Sequence, residues 1–119
     1  MRYEENLVFR IAIDERMNGL LLPPMSVQLL IENAIKHNEI SNRNPLTISI
    51  RTEGGMLSVS NRIQPKRLTP AGPGIGLDNL AIRYNLLWQQ EIQISAENGI
   101  FSVRLPLQQP RNDYESTDN

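Results

Sequence analysis

The stretch Pro23–Asn38, PPMSVQLLIENAIKHN, decides how the rest of the chain is read. Wound as a helix at ~100° per residue, it puts Val27, Leu30, Ile31, Ala34 and Ile35 on one side as a core face. Asn33, Lys36 and His37 gather on the other side, related by i, i+3 and i+4 steps. Pro23 and Pro24 suit a helix start, where a residue needs no backbone N–H. One helix thus presents a carboxamide, an ammonium and an imidazole above an apolar base. Such a set suits a magnesium-bound polyphosphate. The Asn33 oxygen can ligate Mg²⁺, which takes few protein ligands and fills its shell with water and phosphate oxygens. Lys36 can neutralise phosphate charge. Glu32 and Lys36 are also spaced for an i, i+4 ion pair in the favourable order, worth ~0.2–0.5 kcal/mol. A solvated polar face is therefore the competing reading of the same residues.

Outside the helix, a chain of 119 residues has the size of one domain. Its net charge of −1 argues against a nucleic-acid partner bound by bulk electrostatics. The absence of cysteine excludes disulfides, thiolate metal sites and cysteine nucleophiles, and fits a reducing compartment. No apolar run approaches the roughly 20 residues of a membrane span. The opening MRYEENLVFR has no apolar h-region, so no signal peptide is expected. A membrane segment upstream in a longer parent protein is compatible with this start.

The remaining elements follow from periodicity and turn chemistry. Leu7–Ile13 reads as a strand, and Asp14–Gly19 as a turn. Leu46–Arg51 alternates apolar and polar residues, Gly54-Gly55 signals a hairpin, and Leu57 and Val59 mark the partner strand, which ends near Asn61. Arg62–Pro73 holds three prolines and little periodicity, a loop of the length that is usually functional inside a compact domain. Few apolar anchors and the glycines that follow predict that this loop is mobile. Ile75–Trp88 returns to a helical period through Leu77, Leu80, Ala81, Tyr84 and Leu87. Leu86, Leu87 and Trp88 are open to two readings, core or docking surface. Ile92 and Ile94 mark a strand, Asn98-Gly99 is a two-residue hairpin turn, and Phe101, Val103 and Leu105 alternate up to Pro106. The order β-α-β-β-loop-α-β-β predicts an α+β two-layer sandwich spanning residues 1–107, followed by a polar, frayed tail over 108–119.

Gly72-Pro73-Gly74-Ile75-Gly76-Leu77-Asp78-Asn79 joins the long loop to the second helix. Glycines let backbone approach a ligand, and a helix N-terminus offers N–H groups and a positive dipole end to an anion. The run is neither a Walker loop nor a dinucleotide fingerprint, since no Lys-Ser/Thr follows and no strand directly precedes it. Taken alone, a flexible turn and a helix cap would account for it.

The helix LLIENAIKHN, a strand ending VSN, a long loop and GPGIGLDNL, in this order, resemble the ATP-binding domain of sensor histidine kinases, most closely the LytS-like branch. Gyrase, the ninety-kilodalton heat-shock chaperones and MutL belong to the same wider superfamily. The resemblance runs from about Leu7 to Leu107. It implies a Bergerat fold with a mixed, mainly antiparallel sheet, holding Mg-ATP between the helix and a lid loop, Arg62–Pro73. By that likeness Asn33 is the metal ligand, Lys36 and His37 lie along the phosphates, and Gly74, Gly76 and Leu77 belong to the glycine box. Lys66, in the lid, can swing onto a phosphate. Glu32, beside Asn33, can polarise an attacking imidazole or water.

One departure is marked. The family places an aspartate of an Asp-x-Gly-x-Gly box where Asn61 stands, and its first glycine where Ile63 stands. The aspartate accepts from the adenine N6 amine. A carboxamide can still accept there, without the charge assistance that roughly doubles such a bond. His37, the one histidine, is on the nucleotide side and is not the phosphoacceptor, which this family carries on a separate dimerisation helix. The resemblance implies transfer of the γ-phosphoryl group to that missing domain, then to a response regulator. It also implies a parent that is a membrane-anchored homodimer with this domain in the cytoplasm, at an inner membrane. The alternatives are a degenerate nucleotide-binding regulatory module, another superfamily ATPase or a protein-serine kinase.

Overall fold

The computed structural model describes residues 5–66 and 75–110. Strand β1 is Leu7–Ala12, helix α1 is Ser26–His37, and strands β2 and β3 are Leu46–Glu53 and Met56–Arg62. Helix α2 is Ile75–Trp88, followed by β4, Gln93–Glu97, and β5, Ile100–Pro106. The strands form one sheet in the order β1-β2-β3-β5-β4. Only β1 and β2 are parallel, because α1 carries the chain back across the sheet between them. The other neighbours are antiparallel. The expected α+β architecture, with a mixed and mainly antiparallel sheet, is the one found.

Two tight turns set the register. Gly54 and Gly55 have φ of 58° and 81°, and Asn98 and Gly99 have 56° and 76°. Positive φ at both central residues is the geometry whose twist matches flanking strands, and glycine and asparagine adopt it at least cost. With the turns fixed, Leu46, Ile48 and Ile50 of β2, Leu57 and Val59 of β3, and Val103 and Leu105 of β5 all point to one face. Leu30 and Ala34 of α1 and Leu80 and Tyr84 of α2 bury themselves against that face. The reverse face carries Ser49, Arg51, Ser58, Ser60, Ser102 and Arg104, and Arg104 bonds Glu53 across the strands at 3.0 Å. Edge strands β1 and β4 contribute no fully buried residue; Ile11 is 66% exposed although its register partner Ile50 is buried.

The start of α1 differs from the sequence expectation. Pro23 and Pro24 precede the helix instead of opening it, and Met25 sits in the left-handed region at φ 68°. A proline disfavours helical dihedrals in the residue before it, so the pair forms a turn. Ser26 closes that turn by donating its hydroxyl to the Pro23 carbonyl at 2.6 Å. Helix α2 runs back along α1, and Arg83 donates to the Pro24 carbonyl at 2.7 Å. Ile92 also falls just before its strand, which begins at Gln93.

Of the two readings for the end of α2, Trp88 belongs to the core margin. It meets the buried Tyr84 ring edge to face at 5.5 Å. Leu86 and Leu87 stay exposed. The Tyr84 hydroxyl donates to the Pro106 carbonyl at 2.9 Å, tying α2 to the last strand, and burial pushes its pKa up so that it remains a donor. Gln108 pairs with Leu21 through two backbone bonds, 2.7 and 3.0 Å, just beyond β5. No helix among the described residues is long and apolar enough to cross a membrane.

Tyr84→Phe is expected to lower unfolding free energy by about 1 kcal/mol, from one lost hydrogen bond. Tyr84→Ala should cost about 3–5 kcal/mol, the range for emptying an aromatic site in a core. Urea unfolding of the three proteins measures both steps.

Candidate functional site

The polar face of α1 is divided by the fold. Asn33 and His37, one turn apart, are half-buried and line a cleft of about 260 Å³. Asn38, just past the helix, Ile63 after β3, Leu77 in the first turns of α2 and Phe101 in β5 complete its lining. The cleft therefore sits where the C-terminal end of α1, the N-terminal end of α2 and one end of the sheet meet. Lys36 and Glu32 lie outside this lining, exposed on the helix surface.

The expected Glu32–Lys36 ion pair is not formed. Glu32 accepts instead from the Gln28 amide at 3.1 Å, one turn earlier. The ion pairs among the described residues are elsewhere, Arg16–Asp14 and the Glu53 pairs with Arg51 and Arg104. Exposed pairs contribute only about 0–1 kcal/mol, so a neighbouring amide can compete for the same carboxylate.

Asn61 is buried on the helix-facing side of β3, in register between Ile48 and Phe101. Phe101 lines the cleft, whereas Asn61 lies behind that lining and not in it. The Asn61 amide nitrogen donates to the Arg62 carbonyl at 2.8 Å. Among the described residues no hydrogen-bond donor reaches its side-chain oxygen. Gly76, the second residue of α2, lies beside Leu29 of α1; a Cβ there would meet a Leu29 methyl at 3.7 Å, an ordinary contact. Sterics alone thus do not require glycine at 76. Lys66 is half-buried beyond β3 and does not line the cleft. Gly74 lies outside the described residues, as does the part of the expected lid that follows Lys66.

The first part of that lid is anchored, contrary to the expectation of a mobile loop from Arg62 onward. Arg62 is the last residue of β3, and the Ile63 N–H donates to the Gly99 carbonyl at 2.8 Å. Gln64 donates its N–H to Asn38 Oδ1 at 2.8 Å and its side-chain amide to the Glu39 and Asn44 carbonyls at 2.9 and 3.2 Å. Pro65 bridges to Asn38. Sequence reading missed Asn38, Gln64 and Phe101. A polar residue directly after a helix is a signal for Asn38; nothing local marks Gln64, whose partners are more than 19 residues away.

Chemically, the cleft pairs an apolar arc, Ile63, Leu77 and Phe101, with Asn33, His37 and Asn38 opposite. Both polar atoms of Asn38 are engaged: its nitrogen donates to the Ala34 carbonyl at 2.9 Å, and its oxygen accepts from Gln64. No group of three or more His, Cys, Asp or Glu side chains among the described residues could hold a metal ion. A hard cation would find one neutral oxygen, Asn33, and would need its other ligands from water and a polyphosphate. Two larger depressions, about 400 and 890 Å³, lie along the outer side and far end of α2. Their linings include Leu86, Leu87 and Trp88, the residues read as core or docking surface, and none of those assigned to metal, base or phosphates.

No family model and no curated protein sequence matches the chain. Solved structures do, among them the Acinetobacter baumannii histidine kinase AdeS, at 18% identity and a TM-score of 0.47. That match covers 85% of this chain and 54% of the other, so the chain spans about half the length of that structure. A likeness at this level carries no inference about chemistry, which rests on the cleft itself.

Asn38→Ala should remove a helix cap and leave the half-buried Gln64 N–H unpaired, at a cost of about 1–3 kcal/mol. Thermal melts test the cost. Faster hydrogen exchange at the Gln64 amide would locate it.

Proposed function

We propose that this chain, over residues 1–107, is a Mg-ATP-binding catalytic domain of the sensor histidine kinase type, of LytS-like sequence pattern and Bergerat fold. The observation that carries the reading is the convergence of Asn33 and His37 from α1 with Leu77 from α2 on one cleft. These residues come from the two motifs of the resemblance, 40 and more positions apart. The cleft is smaller than the roughly 300–1,000 Å³ of most small-ligand sites, so it suits the base, with the phosphates outside it.

In this reading the Asn61 oxygen accepts from the adenine amine, and the apolar arc covers the ring. Asn33 offers its oxygen to Mg²⁺, which supplies charge neutralisation when bound. Lys36, His37 and Lys66 border the phosphates, and Gly74, Gly76 and Leu77 present the α2 N-terminus to them. Catalysis by such a domain is mostly positioning and charge neutralisation. A histidine nitrogen of a separate dimerisation domain attacks the γ-phosphorus, the bond to the β-phosphate bridging oxygen breaks, and ADP leaves. Glu32, on the solvent side of Asn33, polarises that incoming imidazole. A response regulator then takes the phosphoryl group. The parent is a membrane-anchored homodimer with this domain on the cytoplasmic side.

A second reading, a degenerate nucleotide-binding regulatory module, is favoured by two particulars. Asn61 brings no charge to the base, and Ile63 occupies cleft space where the resemblance has glycine.

Titration calorimetry with ATP, with and without Mg²⁺, decides the assignment of Asn33. Wild type should bind more tightly with the metal, and Asn33→Ala should lose about tenfold of that affinity, ~1.4 kcal/mol. Equal affinities would remove Asn33 as ligand. Incubated with γ-labelled ATP, this chain alone should stay unlabelled; adding the parent's dimerisation helices separates the two readings, with labelling expected only for the catalytic one.

A further inference from the structure

We infer that Gln64, held by Asn38, is a positioning residue that sets Ile63 in the wall of the cleft, so that the apolar arc for the base is formed before any ligand arrives. The inference rests on the nucleotide-binding reading above. Gln64 is fixed by four hydrogen bonds of its own. Its N–H goes to Asn38 Oδ1 at 2.8 Å, its side-chain amide to the Glu39 and Asn44 carbonyls at 2.9 and 3.2 Å, and its carbonyl accepts from the Glu39 N–H at 2.6 Å.

The loop that receives these bonds is itself braced. Asn44 donates its side-chain amide to the Glu39 carboxylate at 2.8 Å and its N–H to the Ser41 hydroxyl at 3.1 Å. On the other side, the Ile63 N–H is bound to the Gly99 carbonyl at the β4–β5 turn. Ile63 is thus clamped between the end of α1 and the end of the sheet. The residue stays 39% exposed, in the lining shared with Leu77 and Phe101. An exposed isoleucine in a connecting segment would ordinarily sample many positions, and holding it still removes that ordering cost from binding. Asn38, although in the lining, has both side-chain polar atoms engaged and so serves as the anchor.

The clamp acts on the apolar arc and not on Asn33. It should therefore matter for a nucleotide and not for a bare polyphosphate. Gln64→Met keeps the side-chain length and removes both donors; Ile63→Ala removes the wall and touches no hydrogen bond. Calorimetry with Mg-ATP and with Mg-tripolyphosphate reads the two halves of the site separately. Gln64→Met should weaken ATP about tenfold, and in the Ile63→Ala background the same change should cost less than about twofold, because the two residues act as a unit. Ile63→Ala alone should weaken ATP, and tripolyphosphate affinity should stay at the wild-type value in every variant. If Gln64→Met does not fold by far-UV dichroism, Ile63→Ala carries the test. An unchanged ATP affinity in either variant, an equal loss in both backgrounds, or a parallel loss of tripolyphosphate affinity would overturn the inference while leaving the nucleotide reading intact. A wild type that binds neither ligand would overturn both.

Discussion

The side chain of Asn38 joins what the sequence keeps apart. Its nitrogen closes the last turn of α1 on the Ala34 carbonyl, and its oxygen holds Gln64, 26 residues later, at the end of β3. Buried amide groups are costly when unpaired, so this double bond fixes the helix end relative to the sheet end. The cleft is a consequence. Asn33 and His37 face the sheet end at one place because the helix stops at Asn38, and Ile63 faces them because Gln64 cannot drift. The opposite end of the helix pair has its own tie, Arg83 on the Pro24 carbonyl.

Most of the fold was legible in the sequence because it is encoded locally. Alternation placed β2, β3 and β5, and two turns with glycine or asparagine at positive φ set their pairing. The order of elements was enough to expect a two-layer sandwich. What escaped was of two kinds. Competing local rules misled the start of α1, where a proline pair compatible with a first helical turn instead built the turn before Met25. Contacts at long range left no local trace, as with the partners of Gln64, and alternation put Phe101 on the inner face of β5 without showing the cleft it lines. For the candidate site, the i, i+4 spacing of Asn33 and His37 led to the cleft, whereas Lys36, on the same polar face in projection, ended outside it. A helical wheel gives directions around an axis and not the neighbour that each direction meets.

The apolar surface is unevenly covered. The fully buried core belongs to β2, β3 and β5, the inner faces of α1 and α2, and Ile40 from the loop after α1, and the edge strands add no fully buried residue to it. Ile11 on β1, Ile94 on β4 and Leu86 on α2 remain more than half exposed at 66%, 51% and 78%. Among the described residues, α1 and α2 leave both edge strands uncovered. The site gains from this arrangement, because the gap between the helix ends and the sheet is where the cleft opens.

We propose the cleft between α1, α2 and the end of the sheet as the place where this chain meets its ligand. An amide ¹H–¹⁵N spectrum recorded during titration with a non-hydrolysable Mg-ATP analogue tests it most directly. Shifts concentrated at Asn33, His37, Ile63, Leu77 and Phe101 are the predicted result. Shifts concentrated instead at Ile82, Leu86 and Ile92, along the outer side of α2, would contradict it.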